Sequence, residues 1–168
     1  MQLLLSGNRG RGGWRILQGA KTEKVHYLDT SALVKRYVEE PGSKIIDEIY
    51  RDAYKGVGKL AFSCWNIAEA AVVLDKYERK LGLDARKLLR NLLRESSTLS
   101  RLRRLLVVSV SPLILRASLK LVLKHHIYAA DALQLVSAKS IDNCTFVTGD
   151  KELARVAKAE GLNTVYTG

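Results

Sequence analysis

Four acidic residues stand where a carboxylate is costly. Asp29 ends the apolar run VHYL, and Asp150 follows a second apolar run in TFVTGD. Glu69 lies in NIAEAAVVL and Asp131 in IYAADALQLVSA, each flanked by alanines and aliphatic residues. A carboxylate among apolar neighbours loses hydration and needs donors, a cationic partner or a metal ion. Mg2+ and Mn2+ favour oxygen ligands, and several carboxylates on rigid elements bind them without histidine. Such a cation can activate water, polarise a phosphoryl oxygen and offset charge on a leaving alkoxide. Each residue also has a plainer reading. Asp29 and Asp150 suit helix N-caps. Glu69 suits an ion pair with a neighbouring helix, and Asp131 suits the same or the first turn of its own helix. Asp47, Glu48, Asp52, Asp75, Glu78 and Glu95 read as acids on solvated helix faces.

The elements that must position these groups alternate along the chain. Short apolar runs at 25–28, 60–64, 105–110, 145–148 and 164–166 read as strands. Helical spacing covers 31–39, 43–54, 66–79, 84–94 or beyond, 112–124, 128–140 and 151–160. Pro41-Gly42, Gly56, Gly58, Gly82 and Gly161 supply the breaks. Alternating strands and helices predict an α/β fold, a three-layer sandwich around a central, mainly parallel sheet. Parallel strands share a direction, so Asp29 and Asp150 are expected at one carboxyl edge, where open α/β sheets bind ligands.

Residues 1–24 form a different region, rich in Gly, Arg and Lys and without a sustained period. They read as a basic, flexible amino-terminal extension, in which WRIL could add a short edge strand, and 25–168 reads as the domain. A chain of 168 residues suits one domain with a real core. No apolar run approaches the ~20 residues needed to span a bilayer. The opening MQLLLSGNRGRGG is too short in its apolar part for a secretory signal, and its basic residues follow that part, so a cytoplasmic location is expected. Lys+Arg total 28 against 17 Asp+Glu, a net charge of +11, which suits a polyanionic partner such as nucleic acid. The cluster Arg86, Lys87, Arg90, Arg94, Arg101, Arg103 and Arg104 suits that role, an acidic protein partner, or a solvated helix face.

Other chemistries lack their residues. Cys64 and Cys144 form no CxxC pair and read as buried free thiols. With three histidines, two of them adjacent, a histidine-dominated zinc site has no basis. There is no GxxxxGK[ST] phosphate loop and no nucleophile elbow at Ser31 or Ser63. Haloacid-dehalogenase-type phosphatases place a second Asp two positions after the first, and Ser31 stands there instead.

The order DTSALVKRYVEEPGS, the Glu of NIAEAA, DALQLVSA and FVTGDKELARVAKAEGLNTV resembles PIN-domain proteins, and more narrowly the VapC-type toxins of toxin–antitoxin pairs. The resemblance runs from about Val25 to Tyr166. It implies Mg2+- or Mn2+-dependent cleavage of RNA that leaves a 5′-phosphate and a 3′-hydroxyl. It implies Asp29 as the central metal ligand, Glu69 and Asp131 completing the set, and Asp150 binding a second ion or acting through water. Thr30, Ser31 and Thr148 would orient these ligands. It further implies a homodimer and a VapB-type antitoxin that blocks the cleft. Two other readings remain: a PIN-like nucleic-acid or protein-binding module with little catalysis, and a Mg2+-dependent small-molecule phosphatase.

Overall fold

In the computed structural model, which describes residues 23–168, apolar side chains alternate across β1 (Val25–Leu28) to feed two separate cores. Leu28 packs with Leu60, Phe62 and Val147 on one face, while Tyr27 packs with Ala61 and Phe146 on the other. The Tyr27 and Phe146 rings stack with centroids 5.8 Å apart. Both faces of this central strand are therefore buried, as expected within a parallel sheet.

The remaining strands are β2 (Lys59–Ser63), β3 (Leu105–Val108), β4 (Cys144–Thr148) and β5 (Asn163–Tyr166). All pair in parallel, in the order β3-β2-β1-β4-β5. The first face is covered by α1 (Thr30–Val34), α2 (Ser43–Tyr54), α3 (Cys64–Leu81) and α4 (Ala85–Arg101). The second is covered by α5 (Pro112–His125), α6 (Ala129–Lys139) and α7 (Lys151–Ala159). The three-layer α/β architecture expected from the sequence is present, with the sheet parallel throughout. Neighbours β1 and β4 end together, with Leu28 opposite Val147, so the residues that follow them emerge side by side.

Several boundaries differ from the sequence reading. The first helix was expected over 31–39 but stops at Val34. Beyond it the carbonyls find side-chain partners: Ser43 Oγ lies 2.9 Å from Lys35 O and 3.3 Å from Val38 O, replacing helical bonds. The third strand ends at Val108, two residues early, because Ser111 caps α5 by accepting from the Ile114 N–H. Cys144 is buried, but Cys64 is exposed, since it opens α3 on that helix's outer side; both thiols are free. Glu95 does not lie on a solvated face. It accepts two bonds from the Arg36 guanidinium and one each from the Tyr37 and Tyr54 hydroxyls, tying α4 to the body of the domain.

The carboxyl terminus packs back against the turn before α2. Gly42 has φ +89°, and a Cβ there would sit 1.8 Å from Thr167 O, so only glycine fits. No described helix is long and apolar enough to cross a membrane. The WRIL segment and the rest of 1–22 lie outside the described residues.

Candidate active site

Asp29 follows β1 without an intervening residue and serves two purposes. Its backbone is extended (φ −71°, ψ 173°), and Oδ1 caps α1 by accepting from the Ala32 N–H at 2.8 Å. The same oxygen accepts from Ser31 Oγ at 2.7 Å, and Oδ2 accepts from Thr148 Oγ1 at 2.8 Å. Thr148 ends the adjacent strand β4, so the sheet register itself delivers that hydroxyl. Thr148 Oγ1 also accepts from the Asp150 N–H at 2.9 Å, and Ser31 Oγ accepts from the Gly149 N–H at 2.7 Å. Gly149 permits this approach: a Cβ there would sit 2.9 Å from Lys35 Cε and 3.2 Å from Ser31 Oγ.

Glu69 projects from α3 toward the same edge. Its Oε2 accepts from Thr30 Oγ1 at 2.8 Å and from Gln134 Nε2 at 2.6 Å, so α1 and α6 both hold it. The side chain of Asp131, in the first turn of α6, has no hydrogen bond or ion pair among the described residues. Asp150 caps α7 by accepting from the Leu153 N–H at 2.9 Å. The cap reading therefore holds for Asp29 and Asp150; the ion-pair reading fails for Glu69 and Asp131, while Asp131 does stand in the first turn of its helix. None of the four carboxylates is within salt-bridge distance of a described Lys or Arg.

All four line one cleft of about 700 Å3, together with Thr30, Ser31, Lys35, Glu40, Lys76, Tyr77, Gln134 and Gly149. Burial pushes the Asp29 carboxyl up to about 6; hydrogen bonds from Ala32, Ser31 and Thr148 oppose this, and the charge of Asp131 reinforces it. Burial likewise raises Asp131 to about 6, with the charges of Asp150 and Glu69 adding to the effect. Asp131 is thus coupled through space to its acidic neighbours, and Asp29 and Asp131 ionise at neutral pH only at a cost that nearby positive charge would offset.

The oxygen-only donor set fits a hard divalent cation in kind. Among the described residues, however, no three His, Cys, Asp or Glu side chains are drawn tightly enough to enclose an ion. Thr30 donates to Glu69, and Ser31 and Thr148 donate to Asp29, holding these two carboxylates in place.

Three supporting residues escaped the sequence reading. Asn66 is fully buried; Oδ1 accepts from the Ser63 N–H and Oγ and from the Tyr27 hydroxyl, while Nδ2 donates to Leu28 O, Thr30 Oγ1 and Gln134 Oε1. Gln134 joins Asn66 to Glu69. Lys35 is buried, and its ammonium donates to Pro41 O at 2.6 Å and Thr167 O at 2.9 Å. Two signals were available: a glutamine between leucines in ALQLV, and an asparagine three residues after Ser63 at capping-box spacing.

The fold is shared with solved structures. PAE2754 from Pyrobaculum aerophilum is 24% identical with a TM-score of 0.60, over 89% of this chain and 88% of that one. The structure of VapBC2 from Rickettsia felis, bound to a DNA fragment from their promoter, is 20% identical with a TM-score of 0.57, over 84% and 98%. FitAcB from Neisseria gonorrhoeae is 18% identical with a TM-score of 0.52, over 84% and 97%. No curated protein matches the chain. The PIN domain family model matches residues 26–159, a span that contains all four cleft carboxylates, and the chain belongs to the PIN-domain family, whose members are generally nucleases.

Proposed function

We propose that this protein is a Mg2+- or Mn2+-dependent endoribonuclease, acting in the cytoplasm as the toxin of a type II toxin–antitoxin pair. One observation carries the reading: four carboxylates from four elements line one cleft with no described Lys or Arg in ion-pair contact, and two of them are raised to about 6. Such an arrangement costs stability unless a cation offsets it. Asp29, Glu69, Asp131 and Asp150 would hold the ion or ions. A bound divalent cation lowers the pKa of water and polarises a phosphoryl oxygen.

The chain's own residues do the positioning. Thr148 and Ser31 fix both oxygens of Asp29, so its carboxylate cannot swing away from the cleft. Thr30 and Gln134 fix one oxygen of Glu69. The side chain of Asp131, free of hydrogen bonds among the described residues, can reorient toward a ligand or accept a proton. Attack by water on the phosphodiester would leave a 5′-phosphate and a 3′-hydroxyl. The neighbour solved as VapBC2 supports a VapB-type antitoxin as partner, and the active protein is read as a homodimer. Residues 25–168 would form the nuclease domain and 1–24 a dispensable basic extension; a folded, dimeric truncation that has lost cleavage would refute that division.

The test compares wild type and Asp29→Asn on end-labelled single-stranded RNA with Mg2+, with Mn2+ and with EDTA, after mass spectrometry shows antitoxin absent. Metal-dependent cleavage lost in the variant supports the reading. Equal cleavage by both proteins refutes the site. RNA binding without cleavage favours the binding module, and release of phosphate from a monoester alone favours the phosphatase.

A further inference from the structure

The cleft is poorly suited to attract RNA. Its lining carries Asp29, Glu69, Asp131, Asp150 and Glu40 against two lysines, and the ammonium of Lys35 is committed to two carbonyls. Before cations neutralise it, this lining repels a polyanion, so affinity for substrate must come from another surface.

Helix α4 provides one. Arg86, Lys87, Arg90, Arg94 and Arg101 are all exposed. At 3.6 residues per turn they fall within about a third of the helix circumference. None has an ion-pair partner among the described residues, whereas Asp75–Arg79 on α3 and Glu152–Arg155 on α7 pair locally. The only acid on α4, Glu95, is turned inward and bound to Arg36, Tyr37 and Tyr54. The outer stripe is therefore cationic without interruption. Four of its five cations are arginines, whose planar forks suit phosphate. Leu93 is the only large exposed apolar residue on α4, too little for the apolar centre of a protein interface.

We propose that the outer face of α4 is a phosphodiester-binding surface that holds RNA flanking the cleft. This rests on the endoribonuclease reading and adds to it that substrates long enough to reach α4 bind through Arg90 and Arg94. Lys87, at the amino end of the stripe, lines a groove with Val38 and Glu39, and the next residue, Glu40, lines the cleft, so the stripe begins beside the site.

The experiment compares Arg90→Ser/Arg94→Ser with Arg116→Ser/Lys120→Ser, an equal loss of exposed charge on α5, across the sheet. Circular dichroism melting confirms that both fold. Anisotropy of a labelled single-stranded RNA is read in EDTA over a salt series, so no cleavage intervenes. The α4 pair is expected to weaken binding about tenfold and to flatten the slope of log K against log salt by about 1.4, about 0.7 for each lost contact. In turnover the same pair should raise KM and leave kcat unchanged. Equal weakening by the α5 pair, or unchanged RNA binding by the α4 pair, overturns the proposal. Retained RNA binding with loss of poly-glutamate binding overturns it in favour of an acidic protein partner. Wild-type protein that cleaves no RNA in Mn2+ would refute the endoribonuclease reading separately, because the anisotropy result does not depend on cleavage.

Discussion

Asp29→Asn should abolish activity and stabilise the metal-free protein. In the fold the Asp29 carboxyl sits near 6, against an ordinary value of 3.8. A difference of one pKa unit is worth about 1.4 kcal/mol, so ionised Asp29 costs the fold about 3 kcal/mol at neutral pH. Because the folded value is raised, that cost is absent below 3.8, where both states hold the proton, grows as pH rises and is complete above about 6. Asparagine removes the charge and keeps one oxygen for the Ala32 N–H and Ser31 Oγ. Its amide nitrogen would face Thr148 Oγ1, which must accept instead of donate and returns part of the gain. We expect a net stabilisation of about 2 kcal/mol at pH values near 7.5 that shrinks as pH falls and turns into a loss of under about 1 kcal/mol near the unfolded pKa, where the charge cost is gone and the Thr148 mismatch remains. Urea denaturation in EDTA at several pH values measures it. A variant less stable than wild type at neutral pH, or a gain that does not change with pH, would refute the burial argument.

Three further outcomes are expected. Gln134→Leu removes the 2.6 Å bond to Glu69, and Mn2+ affinity measured by electron paramagnetic resonance should fall about tenfold to a hundredfold, as for other groups that orient metal ligands. Lys35→Met leaves Pro41 O and Thr167 O without their donor, which should cost about 2 kcal/mol and speed hydrogen exchange at the Thr167 amide, itself bonded to Thr148 O. Glu160 is held down to about 2 by His125, Lys124 and Lys139. Its contribution is present above about 4.5 and lost as pH falls through about 2, so Glu160→Gln should cost about 1 kcal/mol at pH 7 after solvent screening and little at the acid end.

The sheet was legible because each strand is an apolar run closed by a polar or turn residue, and parallel order follows from the alternation with helices. Asp29 and Asp150 could be placed at one edge for the same reason. Glu69 and Asp131 stood out because acids are expensive between alanines. What escaped depends on partners distant in sequence. Asn66 and Gln134 are 68 residues apart, and neither shows its role until α3 and α6 lie side by side. The early end of α1 is set by Ser43 and by the inward turn of Lys35, contacts that helical periodicity does not encode. Glu95 looked solvated because its three partners come from outside α4.

If the four cleft carboxylates act together on a divalent cation, each must contribute to its binding. Mn2+ binding by electron paramagnetic resonance on wild type and on Asp29→Asn, Glu69→Gln, Asp131→Asn and Asp150→Asn tests it most directly. Saturable binding to the wild type that weakens in each variant, most in Asp29→Asn, is the predicted result. Wild type that binds no Mn2+, or variants that bind it as tightly as wild type, would contradict the account.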